Sequence, residues 1–392
     1  MSLFFDEAPM AQRILFLEYH LVLQDVVDCL GQRGHQLLGL APRSLTVELF
    51  DQTCAAFKPD WVFSINFSPA IASLCGRLGL PYLSWTIDPL PASRVTLLDG
   101  TQAAMCLALA HDQHMVAQFQ NLGLPAQHML LAAPAQRRNP VQDDHMLAPY
   151  RCDASFAGSS LIDELLSLDR FLATLEVDTL SEQALSWAQA ITESCAHEPA
   201  YVGLASLGGW TALPTLLQQH CSAPADRQQL MQLMDGALTA LYRQRVITRL
   251  KPWKGDLHIW GDAGWSAVHP GFKGQAHHDE ELTRIYCASA VNLDIARLYQ
   301  RQTITMRVFD ILAAGGFLLT ESNSALANIF EDGQHLAFYD SQEDLGDKIS
   351  EWVARPDERI AIARAGRTEV MNKHLISHRV DAILQLITQK SW

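Results

Sequence analysis

The sequence predicts an α/β protein made of two doubly wound parallel domains, the second carrying a helical insertion. Three observations predict it. Short apolar runs alternate with helical patterns from residue 13 to residue 131, a Pro-rich polar passage separates them from a second strand-and-turn start near residue 153, and 392 residues exceed what one hydrophobic core organises.

Residues 13–18 (Arg-Ile-Leu-Phe-Leu-Glu) suit a first buried strand. Val22, Val26, Val27 and Leu30 recur at helical spacing, Gly31 and Gly34 close that helix, and residues 36–40 return as a strand. The rhythm repeats with strands at 61–65, 82–85, 105–109 and 128–131, and with helices at 71–78 and up to Leu122. Strand followed by helix implies parallel pairing, and polar residues just past such strands stand at the carboxyl edge, where ligands bind. His20, Asn66, Asp88 and His111 hold such places.

The passage from Pro134 to Pro149 reads as an interdomain linker, which gives a first domain of 1–145 and a second of 146–374. Residues 153–160 (Asp-Ala-Ser-Phe-Ala-Gly-Ser-Ser) start a new strand and a turn at Gly158 and Ser159 that suits a phosphate, although a turn without a ligand explains the same residues. Residues 161–250 are rich in Leu, Ala and Gln at helical periodicity, broken at Pro199, Gly208-Gly209, Pro214 and Pro224, and read as several helices in or beside the second domain. The segment from Ser377 to Thr388 is amphipathic through Val380, Ile383, Leu384 and Ile387.

Composition narrows the function. The formal charge of −14, without a basic stripe, argues against nucleic acid, whose binding needs displaced counterions. Eight scattered cysteines without C-x-x-C read as reduced core thiols. The start, Met1 to Glu7, lacks a basic leader, and the longest apolar runs fall short of a membrane span, so the expectation is a soluble cytoplasmic protein.

The most informative stretch is residues 303–321, a short helix, a glycine break and a buried strand. Arg307 and Asp310 lie three apart and share one helical face, while Met306, Phe309 and Ala313 share another. A cation at a helix start suits a phosphate, and a carboxylate one turn along suits sugar hydroxyls. Spacing alone leaves an ion pair on a solvated face as the alternative.

This stretch resembles the donor-site signature of the CgeB-like (spore maturation protein) glycosyltransferases, close to T-x-R-x-F-[DE]-x-x-A-x-G-[GA]-F-x-L-T-E. Thr305, Arg307, Phe309, Asp310, Ala313, Gly315, Gly316, Phe317, Leu319, Thr320 and Glu321 all match. Ile329 to Gly333, Leu336 to Asp340 and Arg359 to Gly366 downstream, and Ile259 to Gly261, Ile285-Tyr286 and Val291 to Ile295 upstream, resemble further elements of that family, as does Leu80 to Pro89 in the first half. Residues 160–250 match nothing in it.

The resemblance implies a GT-B fold, two Rossmann-like domains facing a cleft, with residues 375–392 crossing back onto the first. It implies a glycosyltransferase that moves a sugar from a nucleotide-sugar donor to a protein, glycan or small-molecule acceptor, without metal or other cofactor and with retention of configuration. By the same resemblance Asp310 holds the donor ribose, Arg307 with the turns at Gly158 and Gly261 neutralises the diphosphate, and Asn292 and Glu321 line the pocket. Trp260 and Tyr286 lie near the base, against the alternative that both are core aromatics, and Thr305, Ser159 and Gly316 complete the donor set. The larger pattern carries a second acid where this chain has Gln302. That departure keeps a rival open, a non-catalytic GT-B-like nucleotide- or glycan-binding or scaffold protein.

Other constellations are poorer. His277-His278 lacks the helical i,i+4 spacing of a metal pair, no G-x-S-x-G elbow occurs, and Glu18-Tyr19-His20 stands where a dinucleotide fold needs glycines. Asp88 and His20 are the candidates for polarising the acceptor, against the alternative that Asp88 caps backbone in its turn.

Overall fold

The computed structural model describes residues 11–19, 22–88, 100–177, 179–194, 209–221, 223–278, 280–298, 303–340, 342 and 344–390. His20 and Gln302 lie outside them. The chain divides into two compact units, one of residues 1–134 with 375–392 and one of 135–374.

The first unit runs β1 (Arg13–Leu17), α1 (Leu23–Gln32), β2 (Gln36–Leu40), α2 (Val47–Phe57), β3 (Trp61–Ile65) and α3 (Pro69–Leu78). It continues with β4 (Tyr82–Thr86), α4 (Gly100–Ala104), β5 (Cys106–Ala110), α5 (Gln113–Asn121) and β6 (Ala126–His128). The six strands are parallel in the order β2-β1-β3-β4-β5-β6. Every residue of β3, β4 and β5 is buried, which is why these strands read as unbroken apolar runs rather than alternating ones.

The second unit runs α6 (Asp144–Leu147), β7 (Cys152–Ala157), α7 (Ile162–Ala173), α8 (Leu180–Ser194), α9 (Thr215–His220), α10 (Pro224–Arg249), β8 (Leu257–Trp260) and β9 (Phe272–Gly274). Then come α11 (Glu280–Ala288), β10 (Ser289–Asp294), α12 (Met306–Ala313), β11 (Leu318–Glu321), α13 (Ser324–Ala327), β12 (Ala337–Tyr339), α14 (Leu345–Val353) and α15 (Pro356–Lys373). Its sheet is also parallel, in the order β12-β11-β10-β7-β8-β9. The helical region at 161–250 is inserted between β7 and β8, and Leu230, Met234, Leu238 and Tyr242 of α10 join Leu168 and Leu172 of α7 in the core.

The final helix, α16 (Ile376–Gln389), belongs to the first unit and packs on α1. Residues 135–145, read as part of the first domain, pack with the second unit instead, because Arg138 is buried there against Thr283 and Asp310. Among the described residues no helix is long and apolar enough to cross a membrane, and the seven described cysteines are unpaired.

The two strand orders place ligand sites before any side chain is considered. Where connections leave a parallel sheet in opposite directions from adjacent strands, their carboxyl ends open a crevice. That point lies between β1 and β3 in the first sheet and between β7 and β10 in the second.

Candidate functional site

At the β7/β10 point, α12 delivers Arg307 to the strand ends. Its Nε donates to the Ala157 carbonyl at 2.7 Å, its Nη1 pairs with the Asp294 carboxylate, and its guanidinium carbon lies 5.0 Å from the centre of the Phe156 ring. Two nitrogens are thereby fixed, while Nη2 makes no hydrogen bond among the described residues and the side chain keeps 15% of its exposure. A Cβ on Gly158 would lie 2.7 Å from Nη2 and 2.8 Å from the Phe156 ring, so only glycine admits the guanidinium here.

Thr305 is the N-cap residue of α12, yet its hydroxyl is turned to Asp294, 3.4 Å from both carboxylate oxygens. The first N–H groups of the helix therefore have no side-chain cap, and they add their partial positive charge to Arg307. A fixed cation beside an uncapped helix start can take an oxyanion.

The neighbouring turn differs from its expected role. Asp262 accepts from Ser159 Oγ at 2.6 Å, Ser160 N at 2.6 Å, Gly264 N at 3.0 Å and the Ser160 hydroxyl. Burial opposes its charge, but these hydrogen bonds outweigh it and hold the carboxyl below its ordinary range. An internal anion thus occupies the donors that Ser159 and its turn were expected to offer a phosphate. Gly261 serves packing, since a Cβ there would lie 2.3 Å from the Gly158 carbonyl.

Asp310 departs further. Its carboxylate is buried against Arg138, with Nη2 to Oδ2 at 3.1 Å, and Oδ1 is buried without a hydrogen-bond partner. Arg138 also donates to Thr283 Oγ1 at 3.2 Å, and that hydroxyl donates to the Arg137 carbonyl at 2.7 Å. Arg307 and Asp310 share a helix face but not an ion pair, and neither lies on a solvated surface, so the reading of the two as a solvated ion pair fails.

Three more expected donor residues are core. Asn292 is buried mid-strand, its Nδ2 donating to the Tyr286 and Phe317 carbonyls at 3.0 and 3.1 Å and its Oδ1 accepting from Ser155 Oγ at 3.0 Å. The strand end it was assigned to is two residues on, at Asp294. A Cβ on Gly316 would lie 2.7 Å from both Asn292 Nδ2 and the Tyr286 carbonyl, so that glycine closes a packed corner. The Tyr286 ring is buried, which pushes its hydroxyl above the ordinary range and leaves no face for a base. Trp260 ends β8 half-buried, its ring centre 5.6 Å from that of Tyr150. Glu321 ends β11 half-buried and accepts from the Tyr242 hydroxyl.

Sequence reasoning missed Asp294, Asp262, Tyr242, Arg243 and Arg138. Asp294 had a signal, an acid following the strand-like residues Val291, Asn292 and Leu293. Arg243 had none, being one polar residue among many on α10. It is buried, donating to the Ile295 carbonyl at 3.1 and 2.9 Å and to the Ser159 carbonyl at 2.8 Å, so it ties the β10 and β7 ends together.

In the first unit, Asp88 lies two residues past β4 with Tyr19 and Asn66 on its carboxylate, at 2.6 and 2.9 Å.

Residues 210–385 match a family described as glycosyl transferase-like. No curated protein matches the sequence. Among solved structures, sucrose-phosphate synthase from Thermosynechococcus elongatus is similar at a TM-score of 0.57 and 9% identity, covering 97% of this chain and 100% of that one. HepE of Anabaena, in complex with UDP and glucose, is similar at 0.53 and 9%, covering 96% and 99%. A glycosyltransferase from Rickettsia africae is similar at 0.51 and 10%, covering 97% and 100%. The chain has the two-domain GT-B fold, and residues 210–385 match a glycosyl transferase-like family.

Proposed function

We propose that the protein is a glycosyltransferase of the CgeB-like type that transfers a sugar from a nucleoside-diphosphate sugar to an acceptor. The observation that carries this is Arg307, held on the second sheet's switch point with Nη2 unspent beside an uncapped helix start. That arrangement places positive charge where a diphosphate leaving group develops negative charge, which is electrostatic transition-state stabilisation. The binding of UDP by HepE makes a uridine diphosphate the natural first probe. Thr305, Trp260 and Glu321 stand around the same strand ends, and the first unit supplies the acceptor side through Asp88. Retention of the anomeric configuration follows from the resemblance and is read by NMR of the product. Unpaired cysteines throughout the described residues fit a reducing cytoplasm.

Arg307→Ala is expected to weaken UDP affinity about ten- to a hundredfold, the loss of one charge-assisted contact. Isothermal calorimetry on the folded variant measures it. Unchanged affinity would remove the assignment.

A protein cation and a helix start do here what a bound cation does elsewhere, so sugar transfer is expected to persist in excess EDTA. Loss of turnover on chelation, restored by a divalent ion, would refute metal independence. Binding of UDP without any turnover of UDP-glucose would favour the non-catalytic rival.

A further inference from the structure

The β1/β3 switch point of the first sheet carries a second built site. Asn66, one residue past β3, has a left-handed backbone at φ 63°, an uncommon conformation for a residue with a side chain. Its Oδ1 accepts from the backbone N–H groups of Ile87 and Asp88 at 2.9 and 3.0 Å, and its Nδ2 donates to Asp88 Oδ2 at 2.9 Å. Its own carbonyl is held by Ser64 Oγ at 2.7 Å, which is 2.6 Å from the Tyr82 hydroxyl. Tyr19, two residues past β1, donates to the same Asp88 Oδ2 at 2.6 Å.

Both donors fall on one carboxylate oxygen. Oδ1 makes no hydrogen bond among the described residues, and Asp88 keeps part of its surface exposed. A carboxylate that merely caps its turn would spend its oxygens on local backbone N–H groups, whereas here Asn66 takes those N–H groups and the carboxylate is left over. Burial and then the Asp88 carboxylate push the Tyr19 hydroxyl up to about 12, so it remains a donor at neutral pH.

We propose that Asp88 Oδ1 accepts the hydrogen bond of the acceptor's reacting hydroxyl, and that Tyr19 and Asn66 are positioning residues that orient the carboxylate for it. The inference rests on the glycosyltransferase reading and names its acceptor class, a hydroxyl compound. Two donors on Oδ2 fix the carboxylate plane, and the free oxygen then fixes where the acceptor's hydroxyl hydrogen points.

The test measures UDP release from UDP-glucose with p-nitrophenyl glycosides as acceptor probes, together with UDP affinity by calorimetry. Asp88→Asn should lower glycoside-stimulated release about a hundredfold, the lower range for a positioned acid–base group. Tyr19→Phe and Asn66→Gly, the latter keeping the left-handed backbone without strain, should each raise the glycoside KM about three- to tenfold with little change in kcat. All three should bind UDP within about twofold of the parent, since the donor contacts lie in the other unit. Stimulated release at the parent's level in Asp88→Asn would overturn the proposal. So would Tyr19→Phe and Asn66→Gly variants that lose UDP affinity as much as acceptor KM, which is what a structural role gives. A parent that binds UDP but is stimulated by no glycoside would overturn the hydroxyl-acceptor class alone, whereas a parent that binds no UDP would fail the underlying reading.

Discussion

Deleting residues 376–392 is expected to unfold the first unit while the second stays folded. Helix α16 buries Ile376, Val380, Ile383 and Ile387, each at most 7% exposed. At about 1.5–3 kcal/mol per fully buried aliphatic side chain, the four are worth about 6–12 kcal/mol, an upper estimate because the unfolded chain already hides some apolar surface. Whole domains are stable by about 5–15 kcal/mol, so little remains. Polar anchors go with the helix. Arg379 donates to the Leu130 and Leu131 carbonyls at 3.0 and 3.2 Å, Lys390 to the Cys106 carbonyl at 2.6 Å, and Asp381 pairs with Arg33 at 2.6 Å. Hydrogen exchange reads the outcome unit by unit. Amides of β1, β4 and β5 should lose protection while those of β7 and β10 keep it, with UDP affinity retained and sugar transfer lost. A truncated chain with the parent's protection in β1 and β5 would show that α16 contributes little to the first unit.

How much of this was legible in the sequence depended on whether the signal was local. Strands β3, β4 and β5 were readable because each is buried on both faces and therefore apolar throughout. Helix α2 passed unread, and short β9 and β12 offer only three residues apiece. Arg307 stood out as a charge at the start of an apolar helix, and its position at the strand ends follows from that. Asp310 shows the limit. Spacing gives the helical face but not the depth, and depth here is set by Arg138, 172 residues earlier, in a passage whose prolines and charges look like a solvated linker. Asn292 failed for a related reason: one polar residue inside an apolar strand can mark its edge or a satisfied core amide, and only its three partners, on β7, α11 and the residue before β11, decide. The Asp262 carboxylate in the β7–α7 turn belongs to the same class, a local chemistry made by residues a hundred positions apart.

Arg138→Met is expected to destabilise the second unit by about 3–5 kcal/mol, the cost of stranding one member of a buried ion pair. The two side chains are 2% and 9% exposed, too little for solvent to take over from the guanidinium. Asp310→Leu should cost about as much, because it strands Arg138 instead. The double variant Arg138→Met/Asp310→Leu removes both charges at once and should recover most of the loss, since a buried pair replaced by apolar side chains of similar volume is often neutral. Urea unfolding of the four proteins gives the cycle. The same double variant decides what Asp310 does. Arg307 keeps its own partners, Ala157 and Asp294, in that protein, so if Asp310 only anchors α12, UDP affinity should stay within about threefold of the parent. If Asp310 turns to the donor ribose on binding, the folded double variant lacks that contact and should lose about tenfold or more. The buried geometry favours the anchor. A double variant as stable as the parent but binding UDP tenfold more weakly would return Asp310 to the ribose.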